Sequence, residues 1–129
     1  MLRIFKTRWF TGFARNECIN DNRLSEAVER AGRGLIDADL GGGVIKQRVA
    51  RAGQGRSGGY RVLIAYRADY RVVFLYGFAK RERENIKPDE LLTLREIAAA
   101  WLAADPKKIA DALNQGALKE VAYEETKEK

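Results

Sequence analysis

The hydrophobic and polar positions change their spacing along the chain. Alternation over Leu2 to Lys6 predicts a short strand, and apolar residues at helical spacing follow in two stretches, 9–14 and 24–31. From Val44 onward the period becomes two, and Val, Ile, Tyr and Phe are abundant. This pattern predicts three antiparallel strands over residues 44–51, 59–67 and 70–79.

Residues that favour helix ends flank the helical stretches. Asp21 or Asn22 is predicted to cap the second helix, which ends near Gly32. Pro88 is expected to begin a long helix that closes over the sheet. The apolar positions predicted for its buried face are Leu94, Ile97, Ala98 and Trp101.

The last part of the chain predicts one more helix. Asp105 and Pro106 open it and Gly116 ends it, after which residues 118–121 are compatible with a short strand. The resulting order is β-α-α-β-β-β-α-α. It predicts an α+β fold with a small antiparallel β-sheet, two N-terminal helices, and C-terminal helices packed on the sheet.

Composition limits the class of protein. The 129 residues fit one domain, here 1–121, with a charged tail at 122–129 that we expect to be frayed. No apolar run approaches the length of a membrane span and the N-terminus does not resemble a signal peptide, so we expect a cytoplasmic protein without a membrane partner. One cysteine and no histidine disfavour a disulfide, a metal site or a bound cofactor, although carboxylate-bound magnesium stays compatible with the sequence.

Positive charge is concentrated in the middle of the chain. Between Gly41 and Arg83 there are ten basic and two acidic residues, whereas the remainder has 14 basic and 16 acidic residues. The net charge of +6 therefore arises entirely from this segment. Such an asymmetry is typical of a protein that binds a polyanion.

Residues 53–61, GQGRSGGYR, link the first two predicted central strands. A nucleotide-binding loop would lead from a strand into a helix and carry Gly-Lys-Ser/Thr, so this segment does not fit that class. Its glycines permit positive φ angles and a close approach of the backbone to a ligand, and Arg56 and Arg61 add planar phosphate donors. A plain hairpin is the alternative interpretation.

Strand alternation indicates which charges meet. Lys46 and Arg48 are two residues apart and share a face, and antiparallel pairing brings Arg61 near the end of the third central strand. A two-residue turn at 68–69 would put Lys80 on the face of Arg61, whereas one residue more would put Arg81 there. The sequence leaves this register open.

Three segments together carry a resemblance to a known family: GGGVIKQR at 41–48, GRSGGYR at 55–61 and GFAKRER at 77–83. They resemble the RelE/HigB family of bacterial type II toxin-antitoxin toxins, within the RelE/ParE superfamily. The resemblance implies a ribosome-dependent endoribonuclease that cleaves mRNA and is held inactive by a cognate antitoxin, usually a helix-turn-helix DNA-binding protein.

The resemblance and the charge pattern together define the candidate site. The predicted catalytic residues are Lys46, Arg48, Arg61, Lys80 and Arg81. The predicted RNA-binding residues are Arg51, Arg56, Ser57, Arg83 and Lys87. Some relatives use a tyrosine or histidine shortly after the last central strand, where this chain has Asn85, Ile86 and Lys87, so the identity of the general base stays open.

The chemistry of RNA cleavage narrows the roles. Attack by the 2′-hydroxyl needs a proton acceptor, charge stabilisation at phosphorus and a proton donor for the leaving 5′-oxygen. Arginine keeps its proton and serves as a charge clamp, so lysine or tyrosine is left for proton transfer. Lys46 and Lys80 fit, because neighbouring cations are expected to lower a lysine pKa.

Two other functions are compatible with the sequence. ParE-like toxins of the same superfamily inhibit DNA gyrase by binding it, which needs no proton-transfer lysine. A non-catalytic RNA-binding module would instead expose aromatic side chains among its basic residues. The candidates for such stacking are Tyr60, Tyr66, Tyr70 and Tyr76.

Overall fold

The computed structural model describes residues 2–51 and 55–123, and residues 55–57 by their main chain alone. Its elements are β1 (Arg3–Thr7), α1 (Arg8–Asn16), α2 (Asp21–Gly32), β2 (Ala38–Gly41), β3 (Val44–Arg51), β4 (Gly55–Arg67), β5 (Arg71–Ala79), α3 (Pro88–Ala103), α4 (Pro106–Gln115) and β6 (Leu118–Val121). The predicted α+β class and the three central strands are confirmed. Within the described ranges, no helix is long and apolar enough to cross a membrane.

The strands form one six-stranded sheet in the order β2-β3-β4-β5-β1-β6. β1 and β5 are parallel, and the other neighbours are antiparallel. The sequence did not predict β2, because its four residues carry an aspartate and a glycine rather than an alternating apolar pattern. β2 joins β3 through Gly41, Gly42 and Gly43, all at positive φ, where glycine avoids the strain of a side chain.

The sheet buries both of its faces. Helices α1 and α2 cover one face through a core that includes Phe10, Leu24 and Val28. Helices α3 and α4 cover the other face, where Ala98 and Ile109 pack against strand residues. Central strands covered on both faces explain why the β5 sequence reads as a nearly continuous apolar run.

The predicted helix ends are right for α4 and displaced for α2. Asp105 accepts the Lys108 N–H at 2.8 Å, and Gly116 ends α4 in the left-handed conformation at φ 80°. The cap of α2 is Asn20, whose side chain accepts the Arg23 N–H at 3.0 Å, so the expectation of Asp21 or Asn22 is wrong by one or two residues. Three neighbouring residues can all cap, and sequence preference does not separate them.

One glycine of the glycine-rich segment, Gly59, is required by the close approach of two strands. A Cβ at this position would lie 2.3 Å from the carbonyl oxygen of Val49 on β3, closer than any side chain allows. The β3–β4 register is irregular here, because the pair Val49 and Tyr60 is followed by Arg51 and Gly55. Gly59 therefore permits a close approach of strand to strand, whereas the predicted approach was to a ligand. Residues 52–54 lie outside the described residues.

The buried face of α3 agrees with the prediction except at Ile97. Ala98 is fully buried, and Leu94 and Trp101 pack against the second core. Ile97 is 38% exposed and Leu92 is 59% exposed, so the predicted burial of Ile97 is wrong. The apolar and alanine-rich sequence of α3 extends around the helix, and periodicity alone does not define the packed side.

The described chain continues past residue 121. Ser25 donates a hydrogen bond from Oγ to the carbonyl of Ala122 at 3.1 Å, and Tyr123 packs against the first core. Residues 122 and 123 therefore have contacts that the predicted frayed tail lacks. The rest of that tail, 124–129, lies outside the described residues.

Trp101→Ala is expected to lower the free energy of unfolding by about 2 to 3 kcal/mol, less than a fully buried tryptophan because the side chain is only partly enclosed. The Arg71 guanidinium donates to the Trp101 carbonyl, and the substitution keeps that bond. Urea unfolding against Leu92→Ala, a truncation on the exposed side of the same helix, measures the difference. Equal stability of the two variants would contradict the packing of α3.

Candidate functional site

Two basic residues of β3 lie on the face that α3 covers. Lys46 and Arg48 alternate with Ile45, Gln47 and Val49, which point toward the first core or α2. In the β3–β4 ladder Arg48 is directly opposite Arg61, so these two side chains share the face as predicted. The sheet register thus brings Lys46, Arg48 and Arg61 together.

All three cations surround one carboxylate, that of Asp37. Arg48 Nε lies 2.9 Å from Asp37 Oδ1. Lys46 Nζ and Arg61 Nε lie 3.7 Å and 3.8 Å from Asp37 Oδ2. We call these four residues the Asp37 cluster; it contains three positive charges and one negative charge.

No sequence pattern distinguishes Asp37 as a site residue. Asp37 and Asp39 stand two residues apart before the first central strand, and no spacing rule distinguishes them. The distinction comes from the bend between α2 and β2, which turns the Asp37 side chain onto the basic face. Asp39 instead accepts the N–H of Gly41 at 2.9 Å, a local turn contact.

A buried glutamine fixes the backbone at Asp37. Gln47 is 1% exposed, and its Nε2 donates to the carbonyls of Ala27 and Leu35 at 3.0 and 2.9 Å. Its Oε1 accepts the Asp37 N–H at 3.2 Å, and the Lys46 carbonyl accepts the same N–H at 3.1 Å. The main chain of Asp37 is therefore held by two acceptors on β3.

The three cations differ in their exposure to solvent. The side chain of Arg61 is 6% exposed, that of Lys46 is 18% exposed, and that of Arg48 is 46% exposed. Arg61 is therefore a packed side chain as well as a charged one. Burial, and secondly the charge of Arg48, lower the pKa of Arg61, whereas Asp37 acts in the opposite direction. An arginine remains protonated in such surroundings, so the cluster keeps a buried permanent charge.

The segment between β5 and α3 adds a polar neighbour. Lys46 Nζ donates to Asn85 Oδ1 at 3.4 Å. Asn85 is exposed and belongs to the segment 85–87, which follows the last central strand and contains no tyrosine or histidine. Lys46 Nζ therefore has a carboxylate oxygen and an amide oxygen within 4 Å.

The register between β4 and β5 decides whether Lys80 or Arg81 follows on the face of Arg61. Three residues, 68–70, separate the pair Arg67 and Arg71, which alone would favour Arg81. An irregularity opposite Leu63 and Ile64 adds one residue to β5, so Arg61 pairs with Phe78 and the alternation returns to Lys80. The Lys80 N–H donates to the Gly59 carbonyl at 3.0 Å, which places the Lys80 main chain beside β4, two residues from Arg61.

Arg81 lies near a different part of the sheet. Burial and a hydrogen bond to Glu17 raise the pKa of Tyr60, and the charges of Arg51 and Arg81 lower it. Tyr60 belongs to the core on the opposite face from Arg61. The five predicted catalytic residues therefore do not all meet. Lys46, Arg48 and Arg61 converge, Lys80 begins the adjoining turn, and the charge of Arg81 is felt by Tyr60 on the other face.

A family comparison agrees with this architecture. The family model described as the RelE toxin of the RelE/RelB toxin-antitoxin system matches residues 2–121. The chain belongs to the RelE toxin family. No curated protein sequence matches it. The resemblance inferred from three short segments thus extends over nearly the whole chain.

Other predicted RNA-binding residues of this RelE-family chain have varied surroundings. Arg83 is held by Glu90 at 2.6 Å, donates to the Tyr76 hydroxyl at 3.3 Å and lies over the Phe78 ring. Lys87 is exposed at the N-terminus of α3, and Arg51 ends β3. The side chains of Arg56 and Ser57 lie outside the described residues.

The tyrosines considered for base stacking are engaged elsewhere. The Tyr60 hydroxyl donates to Glu17 at 2.9 Å, Tyr66 packs against the first core, and Tyr76 stacks on Trp9. Tyr70 is 40% exposed, but the guanidiniums of Arg67 and Arg71 lie over its ring, at the far end of β4 from Arg61. Each of these four rings therefore has partners outside the Asp37 cluster.

Proposed function

We propose that this RelE-family toxin is a ribosome-dependent mRNA endoribonuclease that inhibits translation in the cytoplasm. The observation that carries the proposal is the convergence of Lys46, Arg48 and Arg61 on one anionic group. Carboxylate and phosphate oxygens accept hydrogen bonds from guanidinium groups in a similar geometry. A cluster that surrounds a carboxylate has the charge and the donors to surround a phosphodiester.

The proposed reaction uses the RNA's own nucleophile. The 2′-oxygen attacks the adjacent phosphorus while its proton passes to a base, and the bond between phosphorus and the 5′-oxygen breaks as an acid protonates that oxygen. The products are a 2′,3′-cyclic phosphate and a 5′-hydroxyl. No water, metal or cofactor is consumed, because the attacking oxygen and the leaving oxygen both belong to RNA.

The side chains divide into two roles. Arg48 and Arg61 stabilise the additional negative charge on phosphorus, since arginine donates without giving up its proton. Lys46 belongs to the cluster and Lys80 begins the adjoining turn. Lysine can exchange a proton, and we assign proton transfer to this pair. Because Arg61 is buried, we expect its charge to interact strongly with a bound phosphate, since charges interact more strongly in a medium of lower dielectric constant.

The expected binding partners of this protein follow from its family. A cognate antitoxin, expected to be a helix-turn-helix DNA-binding protein, holds the toxin inactive. The ribosome presents the mRNA and aligns its backbone, an ordering that can contribute several powers of ten to a rate. Free RNA is therefore expected to be a much poorer substrate than ribosome-bound mRNA.

The double variant Lys46→Ala/Arg48→Ala is expected to cut ribosome-bound mRNA at least about 10³-fold more slowly, because one lost charge donor costs about 10² to 10³ in related chemistry. Both side chains lie on the sheet surface, so the fold should persist. The matched control is Lys107→Ala/Lys108→Ala, which removes the same charge from exposed positions on α4. Primer extension on mRNA from translating ribosomes measures the cuts.

The same assay separates the competing functions. Codon-aligned cuts that disappear when the cleaved nucleotide carries 2′-deoxyribose support the nuclease. Inhibition of gyrase supercoiling without mRNA cuts would indicate a ParE-like toxin. Binding of mRNA with neither effect would indicate a non-catalytic RNA-binding module and would overturn the proposed reaction.

A further inference from the structure

An acidic residue at the centre of a basic site needs a reason. Asp37 lies within 4 Å of three cations, and its side chain is only 14% exposed. A carboxylate at this position weakens the attraction of the cluster for a polyanion such as RNA. Its contribution must therefore be something other than affinity.

The Asp37 carboxylate offsets the repulsion among the three cations around it. Lys46, Arg48 and Arg61 occupy neighbouring positions on two strands, and like charges so placed repel one another. Arg61 is nearly enclosed, and a buried cation is stable only when an opposite charge or strong acceptors accompany it. Asp37 supplies that opposite charge to all three groups.

The main chain of Asp37 is held by contacts other than those with the three cationic side chains. Its N–H is bonded to the Lys46 carbonyl and to Gln47, whose side chain is itself tied to α2 and to the loop before β2. Arg48, by contrast, is nearly half exposed and is attached to Asp37 through a single side-chain contact in the described part of the chain. The main chain that carries the Asp37 carboxylate is thus held by β3, whereas the guanidinium of Arg48 extends from the sheet toward solvent.

We propose that Asp37 is a positioning residue, a fixed counter-ion that holds Lys46, Arg48 and Arg61 in the convergent arrangement which the RNA phosphate then uses. The inference rests on the proposed function. The counter-ion lowers RNA affinity and raises the rate of the chemical step, because the donors are already oriented when the phosphate arrives. Binding and cleavage should therefore respond to Asp37 in opposite directions.

The test is Asp37→Asn, which removes the charge but keeps the size and the main-chain bonds of the residue. The matched control is Asp39→Asn, which changes the net charge equally two residues away, at an exposed position whose contact with the Gly41 N–H an asparagine can also make. Fluorescence anisotropy with a labelled single-stranded 2′-deoxy oligonucleotide measures binding without cleavage. Single-turnover cutting of ribosome-bound mRNA measures the chemical step.

Asp37→Asn is expected to bind the oligonucleotide about threefold to tenfold more tightly at low salt and to cut mRNA at least about tenfold more slowly, as expected for misaligned donors. Asp39→Asn should match the wild type in both assays. Thermal melting shows whether Asp37→Asn is folded. If it is not, Asp37→Glu serves instead, and retained affinity with slower cutting supports the same role.

Each other outcome overturns a specific statement. Equal binding and equal cutting by Asp37→Asn would make the residue merely structural. Loss of the acidic limb of the pH–rate profile would identify Asp37 as the proton acceptor, a catalytic residue, because removing a counter-ion can displace that limb along the pH axis but does not abolish it. If the wild type cuts no mRNA, the proposed function fails, yet the binding comparison with Asp39→Asn still tests the counter-ion.

Discussion

Cells that express the Arg61→Ala variant are expected to keep growing, with mRNA cleavage reduced by about 10² to 10³. Arg61 has a permanent charge in a nearly enclosed position, where under the proposed function we expect it to act on a phosphate more strongly than an exposed cation would. Its loss also removes the partner of Arg48 across the strand ladder and one of the cations around Asp37. Growth curves and primer extension on purified ribosomes measure the two effects.

Arg61→Ala will also reduce stability, because the side chain is buried. We expect a loss of about 2 kcal/mol, below the usual cost of breaking a buried ion pair, since Lys46 and Arg48 still accompany Asp37. Arg61→Lys separates the two effects by keeping the charge while removing the planar fork. Arg67→Ala, an exposed arginine at the other end of β4, is the control. Growth arrest by folded Arg61→Ala protein would refute the role of Arg61.

The strongly periodic parts of the fold could be predicted from sequence. β3, β4 and β5 have long runs of β-branched and aromatic residues, and α4 has a capping aspartate, a proline at its first turn and a terminal glycine. β2 could not be found in this way, because a four-residue edge strand is stabilised by pairing with β3 and not by its own composition. Ile97 shows the same limit, since tertiary packing decides which apolar side of α3 is covered.

The candidate site was predictable where strand alternation decides it. Lys46, Arg48 and Arg61 meet because two antiparallel strands have a regular register between them. The residue that follows β5 on the face of Arg61 depends on a bulge in β5, and no local sequence pattern predicts that bulge. The sequence alone therefore does not decide between Lys80 and Arg81. Asp37 was missed because its position is set by a bend and by the buried Gln47, both consequences of tertiary structure.

Gly59→Ala is expected to destabilise the protein by at least about 3 kcal/mol and to abolish cleavage. The new methyl group would meet the Val49 carbonyl oxygen at 2.3 Å and the Arg51 nitrogen at 2.8 Å, both of which are backbone atoms that cannot rotate away. β3 and β4 would have to separate at this point. Arg48 and Arg61 form the pair next to Val49 and Tyr60 in the strand ladder. The separation would therefore also disperse the Asp37 cluster.

The control for this substitution is Gly12→Ala in α1, where a Cβ meets no other atom within 4 Å. Alanine favours a helix interior over glycine by about 0.5 to 1 kcal/mol, so Gly12→Ala should melt at a slightly higher temperature than the wild type. Chemical unfolding and the cleavage assay are applied to both variants. A Gly59→Ala protein with wild-type stability would show that the strands do not approach each other as described. A stable protein that had lost cleavage would instead mean that β4 moves without unfolding and that the cluster depends on sub-ångström register between the two strands.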